Sequence, residues 1–380
     1  MPVPLSSPDI TEAEIAAVTA VLRTPHLSLG PELSSFESAL ANFHSIPHAI
    51  AVSSGTAGLH MALLTLGIGE GDEVIVPSFA FIAVANAVLH VRATPVFADI
   101  DPITLNLTSA AVEQAITPRT RAILVVHTFG IPAAMQALGD LAMRHNLVII
   151  EDACEAIGAE IRGRRVGTFG NLAVFGFYPN KQITTGEGGA VLAHTQIHAE
   201  RLRSLRNQGR SSNPAPDNSI QTASDWLHHS DIGLNYRLSD IACALGRVQL
   251  SRISEILTLR GAAAERYHAL LEDLPALELP PLTQPDSTIS WFVFVVRLAE
   301  TADRPRVQAL LAQQGIATAP YFAPIHQQPC WRGRVASPYH LPVTESIGSR
   351  TLALPFFNRI TPSQQEEVAV ALRKALTLKG

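Results

Sequence analysis

The sequence predicts an α/β protein built on a mainly parallel sheet with helices on both faces, followed by a smaller α+β unit. Seven short apolar runs, at residues 49–52, 73–76, 94–98, 122–126, 147–150, 173–177 and 190–193, alternate with helical patterns up to about residue 240. Such alternation marks strands joined by crossover helices. The 380 residues are 47% hydrophobic and 16% charged, which suits a large core. We expect an α/β domain over residues 1–250 and an α+β domain over residues 251–380.

The first run ends in Ser53-Ser54-Gly55-Thr56-Ala57-Gly58, a turn of small residues opening an apolar-periodic helix. Backbone N–H groups at a helix N-terminus, helped by the Ser54 and Thr56 hydroxyls, favour an anion such as a phosphate. The same residues could serve only as an N-cap. The fifth run delivers Glu151-Asp152-Ala-Cys-Glu155. Ligands of open α/β sheets bind outside the carboxyl ends of the strands, so Asp152 stands where a cofactor would lie. Pyridoxal phosphate needs such a carboxylate to keep its pyridine nitrogen protonated and electron-withdrawing. Capping of the next helix is the alternative. The sixth run leads into Tyr178-Pro-Asn-Lys181-Gln-Ile-Thr-Thr-Gly186-Glu187-Gly188-Gly189. A lysine between a strand-like run and a glycine-rich loop can form a Schiff base with a carbonyl cofactor when partly desolvated. Alone, it reads as a solvated surface charge; the ordered set of phosphate turn, strand-end Asp and Lys is far more specific.

Beyond the last run, residues 209–219 form a polar, Pro-containing loop, mobile or part of a substrate mouth. Residues 240–274 read as a long amphipathic helical region and residues 290–298 as a strand. Arg162-Gly-Arg164-Arg165 reads as a solvated hairpin turn, with an anionic substrate as the alternative. A net charge of −5 gives no general basic footprint, so nucleic acid is not an expected partner. Cys154, Cys243 and Cys330 show neither metal-ligand spacing nor a disulfide framework, which fits a reducing cytoplasm and no metal site. The opening Met1-Pro-Val-Pro has no secretory pattern, and no run is long and apolar enough to span a bilayer.

These motifs are joined, in order, by Gly30-Pro-Glu-Leu-Ser-Ser-Phe-Glu, Val76-Pro-Ser-Phe-Ala-Phe81, Pro95-Val-Phe-Ala-Asp99, Leu205-Arg-Asn-Gln-Gly209, Leu234-Asn-Tyr-Arg-Leu-Ser-Asp240 and Leu354-Pro. Over nearly its whole length the chain resembles the DegT group of nucleotide-sugar aminotransferases. The resemblance implies the pyridoxal-phosphate-dependent transferase fold of type I, with a seven-stranded sheet. It also implies two-half, ping-pong transfer of an amino group from L-glutamate to a keto-sugar nucleotide in polysaccharide or antibiotic-sugar biosynthesis. It makes Lys181 the cofactor lysine and proton carrier, and sets Asp152 on the pyridine nitrogen. Phe81 stacks on the ring, with plain core packing as the alternative. Ser54, Gly55 and Thr56 hold the phosphate, and Glu155, where the family often has His or Gln, lies near the phenolic oxygen.

Asn235 is supplied to the phosphate of the neighbouring subunit, which implies a homodimer with shared sites. Tyr321 and His326 match the region lining the sugar site, or else a packed aromatic loop with a satisfied histidine. Arg237 pairs with a substrate carboxylate or phosphate, or sits in a dimer-interface ion pair. Two positions depart from the family pattern: Gly176, where many relatives have a phosphate-binding serine, and Ala80, where threonine is common. Lysine rather than histidine at 181 argues for transamination over dehydration. A keto-cyclitol acceptor, or a non-catalytic regulatory protein that binds pyridoxal phosphate, stay open as alternatives.

Overall fold

The structure, a computed structural model, describes residues 2–210, 229–331 and 339–377. The chain opens with α1 (Glu12–Leu22) and α2 (Pro31–His44). It continues through β1 (His48–Val52), α3 (Gly55–Thr65), β2 (Glu73–Pro77), α4 (Ala83–His90), β3 (Thr94–Ala98), α5 (Ser109–Ala115), β4 (Thr120–Val126), α6 (Met135–Arg144) and β5 (Val148–Asp152). A hairpin of β6 (Glu160–Ile161) and β7 (Arg164–Arg165) precedes β8 (Leu172–Gly176), β9 (Gly189–Ala193) and α7 (Gln196–Arg206). There follow α8 (Asp240–Ser251), α9 (Ile253–Leu271), β10 (Leu277–Glu278), β11 (Ser287–Thr288), β12 (Phe294–Leu298), α10 (Arg304–Gln313), α11 (Pro342–Arg350), β13 (Thr351–Leu354) and α12 (Pro362–Thr377).

Seven strands form the main sheet in the order β1-β9-β8-β5-β4-β2-β3. Each corresponds to one of the seven apolar runs. The pairs β2–β3, β2–β4, β4–β5 and β5–β8 are parallel, and β9 is antiparallel to both its neighbours. Both faces are covered: Leu59, Val84 and Leu202 of α3, α4 and α7 pack on one, Phe36 and Leu40 of α2 and Leu138 and Leu141 of α6 on the other. That two-sided burial is why the strands are continuously apolar rather than alternating. It also leaves the strand ends as the place where polar groups can gather.

A second apolar cluster joins the C-terminal half of α9 to β12, α10, β13 and α12 through Tyr267, Phe294, Leu311, Leu352 and Leu372. Its sheet has the order β10-β12-β13, and Val3 from the N-terminal segment packs into it.

Two expectations shift in detail. The helical region at 240–274 divides at Arg252 (φ −97°, ψ 6°), whose guanidinium pairs with Asp9 at 2.9 Å and Glu14 at 2.8 Å. The strand expected at 290 begins at Phe294, because the carbonyls of residues 290–292 accept from side chains of Gln182 and Arg260 instead of a neighbouring strand. The Arg162–Arg165 cluster is a hairpin, turning through Arg162 (φ 50°) and Gly163 (φ 75°). Arg162 there lies 3.1 Å from Asp286 and Arg165 3.5 Å from Glu160. Of the loop at 209–219, only Gly209 and Arg210 are among the described residues. No helix among these residues is long and apolar enough to cross a membrane.

Candidate active site

A cavity of about 550 Å³ opens at the carboxyl ends of the central strands. Ser54, the N-cap of α3, accepts from the Ala57 N–H at 3.1 Å. Gly55 and Thr56 occupy the first helical turn, where backbone N–H groups have no intrahelical acceptor and the dipole is positive. All three line the cavity. The glycines around the turn serve close approach. A Cβ at Gly189 would stand 2.6 Å from Phe175 O, 2.7 Å from Ser54 C and 2.8 Å from Gly55 N; one at Gly55 would stand 2.8 Å from Cys154 Sγ.

Strand β5 ends in two carboxylates that face opposite sides of the sheet, as alternation requires. Glu151 is fully buried, and accepts from the N–H groups of Gly167, Phe169 and Gly170 at 2.6–2.8 Å. His127 Nδ1 accepts from Ala133 N–H at 3.1 Å, so Nε2–H donates to Glu151 at 3.0 Å. Burial pushes the Glu151 pKa up, but His127 and the backbone donors outweigh it and hold the carboxyl below its usual range. Asp152 instead lines the cavity, one oxygen held at 3.0 Å by the Cys154 N–H.

Lys181 follows β8 by five residues, its N–H donating to Tyr178 O at 2.9 Å. Its side chain is 15% exposed, and Nζ stands 3.5 Å from Glu155 Oε1 and 3.8 Å from the centroid of the Phe292 ring. The other Glu155 oxygen accepts from Phe129 N–H at 2.9 Å. Phe129 is left-handed (φ 57°), a conformation that favours glycine, so Glu155 anchors a strained turn as well as facing the lysine. Burial raises the Glu155 pKa; Lys181 is the main influence pulling it back. The chain has three lysines, Lys181, Lys374 and Lys379, and Lys181 is the basic side chain on the cavity wall.

Phe81 lines the mouth and is 62% exposed, so it is not core packing within this chain. Tyr321 also lines the cavity, its ring stacked on Phe322 (centroids 5.1 Å apart, planes at 13°). Burial raises its phenol pKa, with Glu155 adding to the effect. His326 is elsewhere. Ser78 Oγ accepts from the His326 N–H at 3.1 Å and donates to Nδ1 at 2.6 Å, leaving Nε2 3.3 Å from Glu345. This Ser-His-Glu array has the form of a nucleophilic triad, but Ser78 is 0% exposed. It clamps the loop carrying Tyr321 to the end of β2. His326 is thus held at Nδ1 by Ser78, and it is not among the residues lining the cavity.

Asn235 and Arg237 also lie off the cavity wall. Asn235 is exposed and bridges Asn207, whose Oδ1 accepts from Arg237 at 2.9 Å. The sequence reading missed Phe292, which lies 111 residues beyond Lys181 and has no local signature. It also missed Gln182, whose adjacency to Lys181 was the available signal. Gly176 leaves space filled by Cys154, whose Cβ and Sγ would each be 3.3 Å from an added Cβ.

A family model for the DegT/DnrJ/EryC1/StrS aminotransferases matches residues 8–373. GDP-perosamine synthase of Caulobacter vibrioides is 38% identical over 351 residues, 92% of this chain and 91% of that protein. Among solved structures, S. venezuelae DesV in complex with a ketimine intermediate superposes with a TM-score of 0.89 at 38% identity, covering 100% of both chains. The aminotransferase TlmJ from Streptoalloteichus hindustanus gives a TM-score of 0.91 at 31% identity over 98% of both. With its lysine, strand-end aspartate and helix N-terminus around one cavity, the chain belongs to the DegT/DnrJ/EryC1/StrS aminotransferase family, whose enzymes depend on pyridoxal phosphate.

Proposed function

We propose that this enzyme moves an amino group from L-glutamate to a keto-sugar nucleotide, using Lys181 and Asp152 as its catalytic residues. The observation that carries the reading is the convergence of Lys181, Asp152, Glu155 and the α3 N-terminus on one cavity. The donor set fits the cofactor: N–H groups and hydroxyls of Ser54, Gly55 and Thr56 for a phosphate, a carboxylate for a pyridinium, and an amine for a carbonyl. Phe81 covers the ring, Glu155 meets the phenolic oxygen, and Asn235 of a second copy reaches the phosphate, which makes the working unit a homodimer. The exposure of Asn235 supports that last assignment. When bound, the cofactor supplies an electron sink for the carbanion left at the donor α-carbon.

Lys181 Nζ then takes and returns the proton at that carbon, and Asp152 holds the proton on the ring nitrogen. Tyr321 lies on the wall where the sugar enters, and Phe292 and Phe322 exclude water. Arg237 is kept as a partner for a substrate carboxylate or phosphate across the dimer. The names of the relatives, a GDP-perosamine synthase among them, support a sugar-nucleotide acceptor. That Cys154 and Cys243 form no disulfide among the described residues supports a cytoplasmic setting.

Visible absorbance of the protein with pyridoxal phosphate, before and after L-glutamate, tests the first half-reaction. Conversion to the pyridoxamine form is expected, and a spectrum that L-glutamate leaves unmoved refutes this donor. Mass spectrometry of keto-sugar nucleotides incubated with the aminated enzyme tests the second half; amination of a keto-cyclitol in their place refutes the acceptor.

A further inference from the structure

Arg260, on α9, is among the largest fully buried side chains of the described residues and is 2% exposed. Its partners among the described residues are neutral. Nε donates to Trp291 O at 2.5 Å, Nη2 to Phe292 O at 2.6 Å, and Nη1 to Asn358 Oδ1, while the guanidinium lies 5.1 Å from the Phe356 ring centroid. Burial alone pushes it down to about 9. A charge taken out of water with no counter-ion is costly, and a well-packed apolar side chain could fill the same volume. What such a side chain lacks is the rigid planar fork, which can hold two successive carbonyls at fixed spacing.

Those carbonyls lie just before β12, and the one ahead of them is also held. Ser290 O accepts from Gln182 Nε2 at 3.0 Å, and the same amide donates to Ser290 Oγ at 2.9 Å and Glu155 O at 2.7 Å. Gly130 presses from the other side, since a Cβ there would fall 1.6 Å from Ser290 O. Three consecutive carbonyls are thus fixed, two by Arg260 and one by the residue next to Lys181. The side chain this arrangement aims is Phe292, whose ring lines the cavity 3.8 Å from Lys181 Nζ.

We propose that Arg260 is a positioning residue for Lys181: by gripping the Trp291 and Phe292 carbonyls it sets the Phe292 ring against Nζ, which fixes where the amine stands as it meets the cofactor carbonyl. This rests on Lys181 being the cofactor lysine. Arg260 touches neither cofactor nor substrate and acts through Phe292 alone.

A double-mutant cycle on the full-length apo-protein tests it. Arg260→Lys keeps a cation but loses the fork; Phe292→Leu keeps apolar bulk but loses the ring face. The readout is the rate at which the apo-protein takes up pyridoxal phosphate, followed by visible absorbance, with thermal unfolding of each variant alongside. Each single variant is expected to slow uptake, by up to about 100-fold where the amine is misplaced by about 1 Å, and the double variant to be no slower than the slower single. Multiplying effects overturn the proposal. So does a wild-type rate for Phe292→Leu, which decides the matter even if Arg260→Lys fails to fold. Wild-type uptake by Lys181→Ala is a different failure, of the lysine assignment itself.

Discussion

Gly189→Ala asks whether the second glycine of the Gly188-Gly189 pair is there to let β9 pass against the phosphate turn. The added Cβ would lie 2.6 Å from Phe175 O, 2.7 Å from Ser54 C and 2.8 Å from Gly55 N, where ordinary contact begins at 3.4 Å. All three atoms are backbone, so relief requires a shift of about 0.6–0.8 Å in β8 or in the first turn of α3. Overpacking of this kind costs about 1–3 kcal/mol. If the turn yields, an N–H meant for a phosphate oxygen is misplaced, and a hydrogen bond to a charged group is worth about 1.5–3 kcal/mol. Affinity for pyridoxal phosphate should then fall about 10- to 150-fold, with a lower apo-protein Tm.

Gly139→Ala on α6 is the control. An added Cβ meets nothing within 4 Å there, so it should gain about 0.5–1 kcal/mol and leave affinity alone. Titration of both apo-proteins with pyridoxal phosphate, followed by absorbance, gives the answer. Affinity within twofold of wild type together with an unchanged Tm for Gly189→Ala would refute the close-approach argument.

Lys181→Ala should abolish the aldehyde-capture spectrum and turnover while moving the apo-protein Tm only slightly, since its pair with Glu155 is a 3.5 Å contact; residual turnover near wild type would remove Lys181 from the chemistry. Asp152→Asn should slow the half-reaction with L-glutamate by at least about 100-fold, because a neutral amide does not hold a proton on the ring nitrogen. Stopped-flow absorbance measures this, and an unchanged rate counts against the assignment.

Glu155 has a folded-state pKa raised by burial, so its stabilising contribution is complete below the ordinary carboxylate range and is lost as pH rises through the raised value. Each unit of displacement corresponds to about 1.4 kcal/mol. Glu155→Gln apo-protein should therefore gain Tm relative to wild type as pH rises across that window, read by thermal unfolding from pH 4.5 to 8; a pH-independent gap contradicts the assigned environment.

The strands were legible because each is buried on both faces and so appears as an unbroken apolar run, a signal contained in four to seven neighbouring residues. The motifs that line the cavity were legible for a related reason. The Ser54-Gly55-Thr56 turn follows β1, Asp152 ends β5 and Lys181 precedes Gly186-Glu187-Gly188-Gly189, so each proposed role has a local spelling. Breaks in regular elements were less visible. Arg252 ends α8 through Asp9 and Glu14, some 240 residues away, and Ser290–Phe292 is kept out of β12 by side chains from α9 and from the loop between β8 and β9.

His326 shows the same limit from the functional side. Its place in Pro320-Tyr-Phe-Ala-Pro-Ile-His326 suggested the sugar site, yet its ring is turned to Ser78, 248 residues away in sequence. Sequence by itself determined the sheet, and picked out the lysine, the strand-end aspartate and the small-residue turn that line the cavity, because these depend on periodicity and short spacing. Tertiary structure alone decided that Phe292 faces Lys181, that a buried arginine holds it there, and that Glu151 builds the scaffold while Asp152 meets the cavity. Those relations arise only when packing brings distant segments within a few ångströms.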